Sequence, residues 1–275
     1  MSECTHDCST CASAKDGKCP SKQDMKAPAN AGSNVKKVIA VMSGKGGVGK
    51  STVTTLLAAC AARRGLKVGV LDADITGPSI PTAFGVSERA GTADGESILP
   101  CRSQGGVDVM SVNLLVDNPG DPVVWRGPVI AGVVKQFWSD VAWGAKDVLF
   151  VDMPPGTGDV PLTVFQSLPV DAAVVVTSPQ DLVSLIVEKA VRMADMMKIP
   201  VKALVENFAS FKCPDCGKEH RIFGAAGQAP AIAQSHGIPV TVSLPIDPKL
   251  AAAMDSGTVE TAEIPDLGKI LDAIL

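Results

Sequence analysis

The chain has 275 residues, 46% of them apolar, which is enough for the core of one globular domain and makes a second full domain unnecessary. Its net charge is −4 and its Lys and Arg residues are scattered, so the composition argues against a nucleic-acid-binding surface. No segment approaches the ~20 consecutive apolar residues of a membrane-spanning helix. We therefore expect a cytoplasmic protein with no membrane partner, in which eight cysteines indicate metal binding or redox chemistry rather than disulfides.

A cysteine-rich segment comes first in the chain. Residues 1–34 contain four cysteines followed by an aperiodic polar stretch, 21–34, which we interpret as a flexible linker. Four thiolates in one chain can hold an iron–sulfur cluster or a tetrahedral zinc ion, and they are supplied by Cys4, Cys8, Cys11 and Cys19. A proline follows Cys19, as in bacterial ferredoxin sequences, which favours the cluster and leaves zinc as the alternative. Residues 1–34 are thus predicted to be a metal-binding segment with its linker, and residues 35–275 the main domain.

From residue 35 onward, short β-branched apolar runs alternate with helical stretches. Six runs are predicted as strands, at 37–42, 67–72, 147–152, 171–177, 201–207 and 239–244. Helices are predicted at 50–64, 122–142, 181–198 and 227–236. Because the runs are apolar on both faces and are separated by helices, we predict an α/β domain with a doubly wound, mostly parallel sheet.

The stretch SGKGGVGKS, residues 43–51, contains the phosphate-loop pattern G-x-x-x-x-G-K-[ST] between a predicted strand and a predicted helix. In such a loop, backbone N–H groups and the helix N-terminus bind phosphate oxygens, Lys50 reaches the β- and γ-phosphates, and Ser51 binds Mg²⁺. The predicted nucleotide-binding residues here are Gly44, Lys45, Gly46, Gly47, Val48, Gly49, Lys50, Ser51 and Thr52. The pattern requires one lysine, so Lys45 needs a separate explanation.

Carboxylates follow two other predicted strands. Asp152 ends the run at 147–152, where an NTPase has the acid that holds Mg²⁺ through water, and Gly156 just beyond it offers a backbone donor to a γ-phosphate. Asp72 ends the run at 67–72, and Asp74 follows two residues later. Ligands of open α/β sheets bind at the carboxyl ends of the strands, so these groups are predicted to lie at the nucleotide site.

Cys213 and Cys216 form a C-x-x-C motif close to the end of the predicted strand at 201–207. One chain supplies two thiolates here, whereas a [4Fe–4S] cluster or a tetrahedral zinc ion needs four ligands. A two-fold dimer would supply the other pair by symmetry. A bridging cluster is our preferred interpretation, and a bridging zinc ion, a redox dithiol and bystander thiols are the alternatives.

Several of these stretches resemble one family. KGGVGKS, with its additional lysine, resembles the deviant Walker A loop of the P-loop proteins that include nitrogenase iron protein, MinD, ParA and the Mrp-type iron–sulfur carriers. Four further stretches resemble the Mrp/Nbp subfamily specifically: DADITGPSIP (72–81), DMPPGTGD (152–159), VENFASFKCPDCG (205–217) and LPID (244–247). These motifs extend across most of the chain.

The resemblance implies catalytic roles for individual residues. It implies that Lys45 crosses to the nucleotide of a partner subunit and neutralises charge in the transition state, with Lys50 acting in its own site. It further implies that Asp74 orients the attacking water and that Asp72 supports the loop and Mg²⁺. Asn207 matches the asparagine that reads adenine in this family, which implies ATP rather than GTP.

The resemblance also implies the overall function. It predicts a homodimeric P-loop ATPase that bridges a labile [4Fe–4S] cluster between the C-x-x-C motifs of its two subunits and delivers it to apo-proteins. The N-terminal cysteines resemble the second cluster of Nbp-type members, although the spacing here contains an additional x3 interval. Two alternatives stay open: electron transfer like that of nitrogenase iron protein, and a positioning ATPase of MinD or ParA type. The sequence leaves the recipient proteins and the source of iron and sulfide unidentified.

Overall fold

The computed structural model describes residues 26–75, 77, 79–92, 95–116, 127–180, 184–223 and 229–275. The strands are β1 (Ser33–Val35), β2 (Val38–Ser43), β3 (Val68–Asp72), β4 (Cys101–Arg102), β5 (Asp108–Met110), β6 (Gly144–Lys146), β7 (Val148–Asp152), β8 (Ala172–Thr177), β9 (Val201–Glu206), β10 (Phe211–Lys212), β11 (Glu219–His220) and β12 (Val240–Ser243). The helices are α1 (Lys50–Arg63), α2 (Ile80–Ala83), α3 (Gly127–Ser139), α4 (Asp159–Ser167), α5 (Ser184–Met196), α6 (Ala229–Ser235), α7 (Pro248–Asp255) and α8 (Gly268–Ile274).

In the described part of the chain, eight strands form one sheet in the order β12-β9-β8-β2-β7-β3-β5-β4, and all neighbouring pairs are parallel except β4 and β5. The doubly wound, mostly parallel sheet predicted from the sequence is therefore confirmed, and all six predicted strands belong to it. Strands β4 and β5, which extend the sheet at one edge, were not predicted. Strands of two and three residues are too short for an apolar run to identify them.

The core has two layers, one on each face of the sheet. In β2, Val38, Ala40 and Met42 belong to one layer, whereas Ile39 and Val41 belong to the other. Helices α3, α4, α5 and α6 cover the first layer, and α1, α2, α7 and α8 cover the second. Successive side chains of a strand point to opposite faces, so a strand covered by helices on both faces is apolar throughout.

The predicted helices are present with adjusted ends. Helix α1 ends at Arg63, within a residue of the expectation, and α3 ends at Ser139, three residues before the predicted end. The predicted starts at 122, 181 and 227 fall outside the described residues. Among the described residues, no helix is long and apolar enough to cross a membrane.

Residues 26–34, within the stretch expected to be a flexible linker, make contacts with the domain. The N–H of Ala27 donates to the Ser167 carbonyl at 2.7 Å, and the Lys26 ammonium donates to the carbonyls of Phe165 and Leu168 at the end of α4. Strand β1 pairs in parallel with β6. This stretch therefore packs against the domain, because its backbone groups find partners there even though its sequence is polar and aperiodic.

Candidate functional site

The loop between β2 and α1 has the backbone that its glycines permit. Gly47 has φ +77° and Gly49 has φ +79°, in the left-handed region that other residues seldom adopt. Gly44 is required for a different reason, since a Cβ there would lie 2.4 Å from the Ile186 side chain on α5. The loop is thus held between its own helix and α5, with its amides at the N-terminus of α1.

Asp152, at the end of β7, is the centre of the buried part of the site. Its Oδ2 accepts from the Lys50 ammonium at 2.7 Å and from the Ser51 hydroxyl at 2.6 Å. Its Oδ1 accepts from the Thr54 hydroxyl at 2.6 Å. Lys50 is 5% exposed and Asp152 has no exposed surface. A buried carboxylate needs such partners because its desolvation is costly, and Lys50 also supplies the opposite charge.

The two aspartates after β3 have different surroundings. Oδ2 of Asp74 lies 3.6 Å from the Lys50 ammonium, and this side chain is partly exposed. Asp72 is buried and accepts from the Ser111 hydroxyl and from the N–H of Asp74. Burial, followed by the negative charge of Asp152, raises the pKa of the Asp72 carboxyl well above its usual range. Asp72 is thus enclosed within the domain, and Asp74 lines the open side next to Lys50. The predicted support of the loop and Mg²⁺ by Asp72 stays a prediction.

A cavity of about 210 Å³ lies above this cluster. It is lined by Ser43, Lys45, Gly46, Gly47, Gly49, Lys50, Ser51, Thr52, Asp74 and Pro155. The structure thus brings Asp74 to the phosphate loop across the sheet edge, as the strand-end argument predicted. A larger cavity, of about 480 Å³, lies at the opposite edge of the sheet beside Lys67, Arg102 and Lys146, and it includes no part of the phosphate loop.

Lys45 and Gly156 have partners within their own chain. The Lys45 ammonium donates to Oε1 of Gln180, just after β8, and no carboxylate of the described residues lies within ion-pair distance of it. The N–H of Gly156 donates to the Ser43 carbonyl at 2.9 Å, so donation to a phosphate would require that bond to be exchanged. The predicted roles of both residues toward nucleotide stay predictions.

Asn207 contacts the phosphate loop directly. Its Nδ2 donates to the Val48 carbonyl at 3.0 Å, and the residue is 5% exposed. A Cβ at Gly49 would lie 2.2 Å from the same nitrogen, so the loop and the end of β9 are closely packed. Adenine recognition by Asn207 stays a prediction, and its contact with the phosphate loop has no signal in the sequence.

Cys213 and Cys216 lie at the tip of a small hairpin. Strands β10 and β11 pair antiparallel, and the N–H of Gly217 donates to the Cys213 carbonyl across the turn. Cys216 is exposed and Cys213 is partly exposed. Hydrogen bonds from the N–H groups of Cys216 and then Asp215, with the Cys216 side chain, lower the pKa of the Cys213 thiol, which favours the thiolate that binds metals.

The described part of the chain contains no group of three or more His, Cys, Asp or Glu side chains arranged to hold a metal ion. The C-x-x-C pair agrees with this, because it is two ligands short of a full set. The other predicted ligands, Cys4, Cys8, Cys11 and Cys19, lie outside the described residues.

The similarity of the chain to known proteins identifies its family. A family model described as ParA, NUBPL iron-transfer P-loop NTPase, matches residues 34–274. The chain belongs to this family. The iron-sulfur cluster carrier protein of Clostridium perfringens is 45% identical over 274 residues, which cover 96% of this chain and 95% of that protein. The iron-sulfur cluster carrier protein of Methanocaldococcus jannaschii is 44% identical over 264 residues, which cover 94% of this chain and 90% of that protein.

Solved structures agree with the family assignment. The nucleotide-binding protein from Archaeoglobus fulgidus, solved in complex with ADP, has a TM-score of 0.76 at 43% identity and covers 88% of this chain and 93% of that one. The cell division ATPase MinD of Pyrococcus furiosus has a TM-score of 0.59 at 20% identity, and the match covers 87% of this chain and 95% of that one. At this low identity, the similarity to MinD concerns the fold alone. The expected resemblance to the P-loop family with MinD and ParA, and to its iron–sulfur carriers, is confirmed.

Proposed function

We propose that this chain is an ATP-hydrolysing carrier that binds a [4Fe–4S] cluster as cargo and passes it to apo-proteins. The observation that carries the proposal is the contact of Asn207 with the phosphate loop, 3.0 Å from Nδ2 to the Val48 carbonyl. Six residues beyond Asn207 the same segment reaches Cys213. A change in the loop on nucleotide binding would thus have a short route to the thiols. The names of the relatives, iron-sulfur cluster carrier proteins, support the nature of the cargo.

The nucleotide half of the site suits ATP with Mg²⁺. Ser51 and Asp152 present a hydroxyl and a carboxylate oxygen 2.6 Å apart, and Mg²⁺ prefers oxygen ligands of this kind. These two residues would hold the ion, which would neutralise charge on the phosphates. Lys50 would then exchange its contact with Asp152 for the β- and γ-phosphates.

Hydrolysis requires a positioned water and further positive charge. Asp74 lines the cavity next to Lys50, so it is our choice for the group that orients the water. We assign Lys45 to the partner subunit's nucleotide, and its bond to Gln180 is the contact it would leave on dimerisation. Such a cation acts by stabilising transition-state charge. The working unit is therefore a homodimer.

The cargo site also requires the homodimer. Cys213 and Cys216 supply two thiolates on an exposed hairpin, and a second copy would supply the other two by symmetry. A cluster held on exposed hairpins is accessible to a recipient protein, which suits transfer. The N-terminal cysteines are proposed to hold a separate centre within each chain, with zinc as the alternative to a cluster.

Cluster transfer from the anaerobically purified full-length protein tests the proposal. Iron, sulfide and zinc would be counted per chain after reconstitution, and transfer to an apo-form of a [4Fe–4S] enzyme would be measured with and without Mg²⁺ and ATP. We expect iron and sulfide in the C-x-x-C site, and enzyme activation whose rate depends on nucleotide. A variant with all four N-terminal cysteines changed to Ser should keep this transfer.

Three outcomes would contradict parts of the proposal. Zinc in place of iron at the C-x-x-C site would overturn the cargo. A cluster that stays bound while it passes electrons would favour the nitrogenase-like alternative. ATP hydrolysis with no metal at either site would favour a positioning ATPase.

A further inference from the structure

Thr54 is a buried hydroxyl that the phosphate-loop pattern does not include. It lies in α1, four residues after Lys50, and has no exposed surface. Its Oγ1 lies 2.6 Å from Oδ1 of Asp152 and 3.1 Å from the Lys50 carbonyl oxygen. A hydroxyl donates one hydrogen bond, and the shorter contact has the length of an O–H bond to a carboxylate. Thr54 therefore donates to Asp152, 98 residues away in the sequence.

The donors to Asp152 divide between its two oxygens. Lys50 and Ser51 both donate to Oδ2, whereas Thr54 donates to Oδ1. Lys50 and Ser51 line the cavity and are the groups that nucleotide and Mg²⁺ would recruit, but Thr54 does not line it. The hydrogen bond to Oδ1 is thus the one that nucleotide binding leaves in place.

We propose that Thr54 is the positioning residue of the magnesium carboxylate. By holding Oδ1 from a rigid helix, it fixes the Asp152 carboxylate so that Oδ2 stays directed at Ser51 when Lys50 turns to the phosphates. The inference rests on the Mg²⁺ site of the proposed function. Hydrogen bonds to a metal-binding carboxylate typically change metal affinity by about 10- to 100-fold when they are removed.

The next residue in the helix provides a matched control. Thr55 is also buried, and its hydroxyl donates to the Ser51 carbonyl at 2.9 Å, four residues back, with no contact to Asp152. Valine has nearly the shape of threonine without the hydroxyl. Thr54→Val and Thr55→Val therefore remove the same group from the same helix, and only the first removes a donor to Asp152.

The experiment measures Mg²⁺ binding through nucleotide affinity, without turnover. A fluorescent ATP analogue would be titrated into the full-length protein over a range of Mg²⁺ concentrations and in EDTA, and unfolding temperatures would be recorded for each variant. Thr54→Val should need about 10- to 100-fold more Mg²⁺ for the same affinity, with affinity in EDTA unchanged. Thr54→Ser should restore the Mg²⁺ dependence, and Thr55→Val should match the wild type.

The outcomes separate this inference from the function on which it rests. Wild-type Mg²⁺ dependence in Thr54→Val, or an equal loss of affinity in EDTA, would overturn the role of Thr54. Equal shifts in Thr54→Val and Thr55→Val would overturn it as well. Adding Thr54→Val to Asp152→Asn should cause no further shift if Thr54 acts through that carboxylate. Unchanged Mg²⁺ dependence in Asp152→Asn would instead overturn the proposed Mg²⁺ site itself.

Discussion

The nucleotide end of the sheet and the thiol hairpin differ in how much of their chemistry one chain supplies. At the nucleotide end, the buried Asp152 receives hydrogen bonds from three side chains of its own chain. At the hairpin, Cys213 and Cys216 lie in the turn between two strands of two residues each, where Cys216 is exposed and Cys213 partly exposed, and they are two ligands short of a metal site.

The difference follows from burial. A buried charge must find its partners within the chain, so the nucleotide end is assembled before any ligand arrives. An exposed thiol pair is solvated by water and needs no partner within its own chain. It can therefore stay without metal until a metal and a second subunit bind. We therefore expect that changes at the hairpin alter assembly and cargo but leave nucleotide affinity intact, and that changes at the nucleotide end alter nucleotide binding or turnover.

The largest expected effect would test this separation directly. Cys213→Ala should abolish the bridging cluster and the dimer that it stabilises, because a ligand bound by the dimer alone favours the dimer by mass action. ATP affinity should be unchanged, since no nucleotide contact is lost. Iron and sulfide counts, ultracentrifugation and nucleotide titration would measure the three quantities, with Cys101→Ala as the control. Full iron content in Cys213→Ala would contradict the assignment of a cluster that bridges the two subunits through this motif.

The next effect concerns the residue that would connect the two copies at the nucleotide end. Lys45→Ala should slow ATP hydrolysis by roughly 10³-fold, as removal of other transition-state cations does, while ATP affinity stays near the wild-type value. Lys50→Ala should instead weaken binding itself. Single-turnover hydrolysis and nucleotide titration separate the two variants. Wild-type turnover in Lys45→Ala would mean that the nucleotide site is complete in one chain.

A smaller effect is expected where the phosphate loop contacts Asn207, at the start of the segment that leads to the hairpin. Gly49→Ala places a Cβ 2.2 Å from Asn207 at a residue with φ +79°, whereas Gly47→Ala imposes a similar backbone strain with nothing within 4 Å. Backbone strain of this kind costs about 1–3 kcal/mol, and the Gly49 variant should lose more of the free energy of unfolding because of its clash. Chemical denaturation of both variants gives the comparison. Equal losses in the free energy of unfolding of the two variants would show that the Asn207 side chain moves away at little cost.

The smallest effect is a difference in thiol reactivity as a function of pH. The pKa of Cys213 is lowered by backbone N–H groups, whereas burial raises the pKa of Cys60. At any pH below the ordinary thiol pKa, Cys213 therefore has the larger thiolate fraction and should be alkylated several-fold faster. Iodoacetamide labelling of the metal-free protein between pH 6 and 9, read by mass spectrometry, would measure both rates. If the alkylation rate of Cys213 did not rise at a lower pH than that of Cys60, the lowered pKa of Cys213 would be contradicted.

The sequence by itself determined the sheet, the phosphate loop and the thiol pair. Each of these is encoded by residues that are close together in the chain: apolar runs for strands, the stretch 43–51 for the loop, and Cys213 with Cys216 three residues apart. The strand ends also predicted that Asp74 and Asp152 lie near the phosphate loop, and both lie within 3.6 Å of the Lys50 ammonium, because parallel strands bring their carboxyl ends to one edge.

The tertiary structure alone decided how these parts contact one another. Thr54 reaches Asp152 across 98 residues, Lys45 reaches Gln180 across 135, and Asn207 reaches Val48 across 159. Sequence periodicity relates residues within one helix or strand and says nothing about pairs so far apart. Their hydrogen bonds depend on side-chain directions that are fixed only when the sheet and its helices pack together. The same reason applies to residues 26–34, whose polar sequence predicts a linker, whereas the Ala27 N–H and the Lys26 ammonium donate to carbonyls at the end of α4.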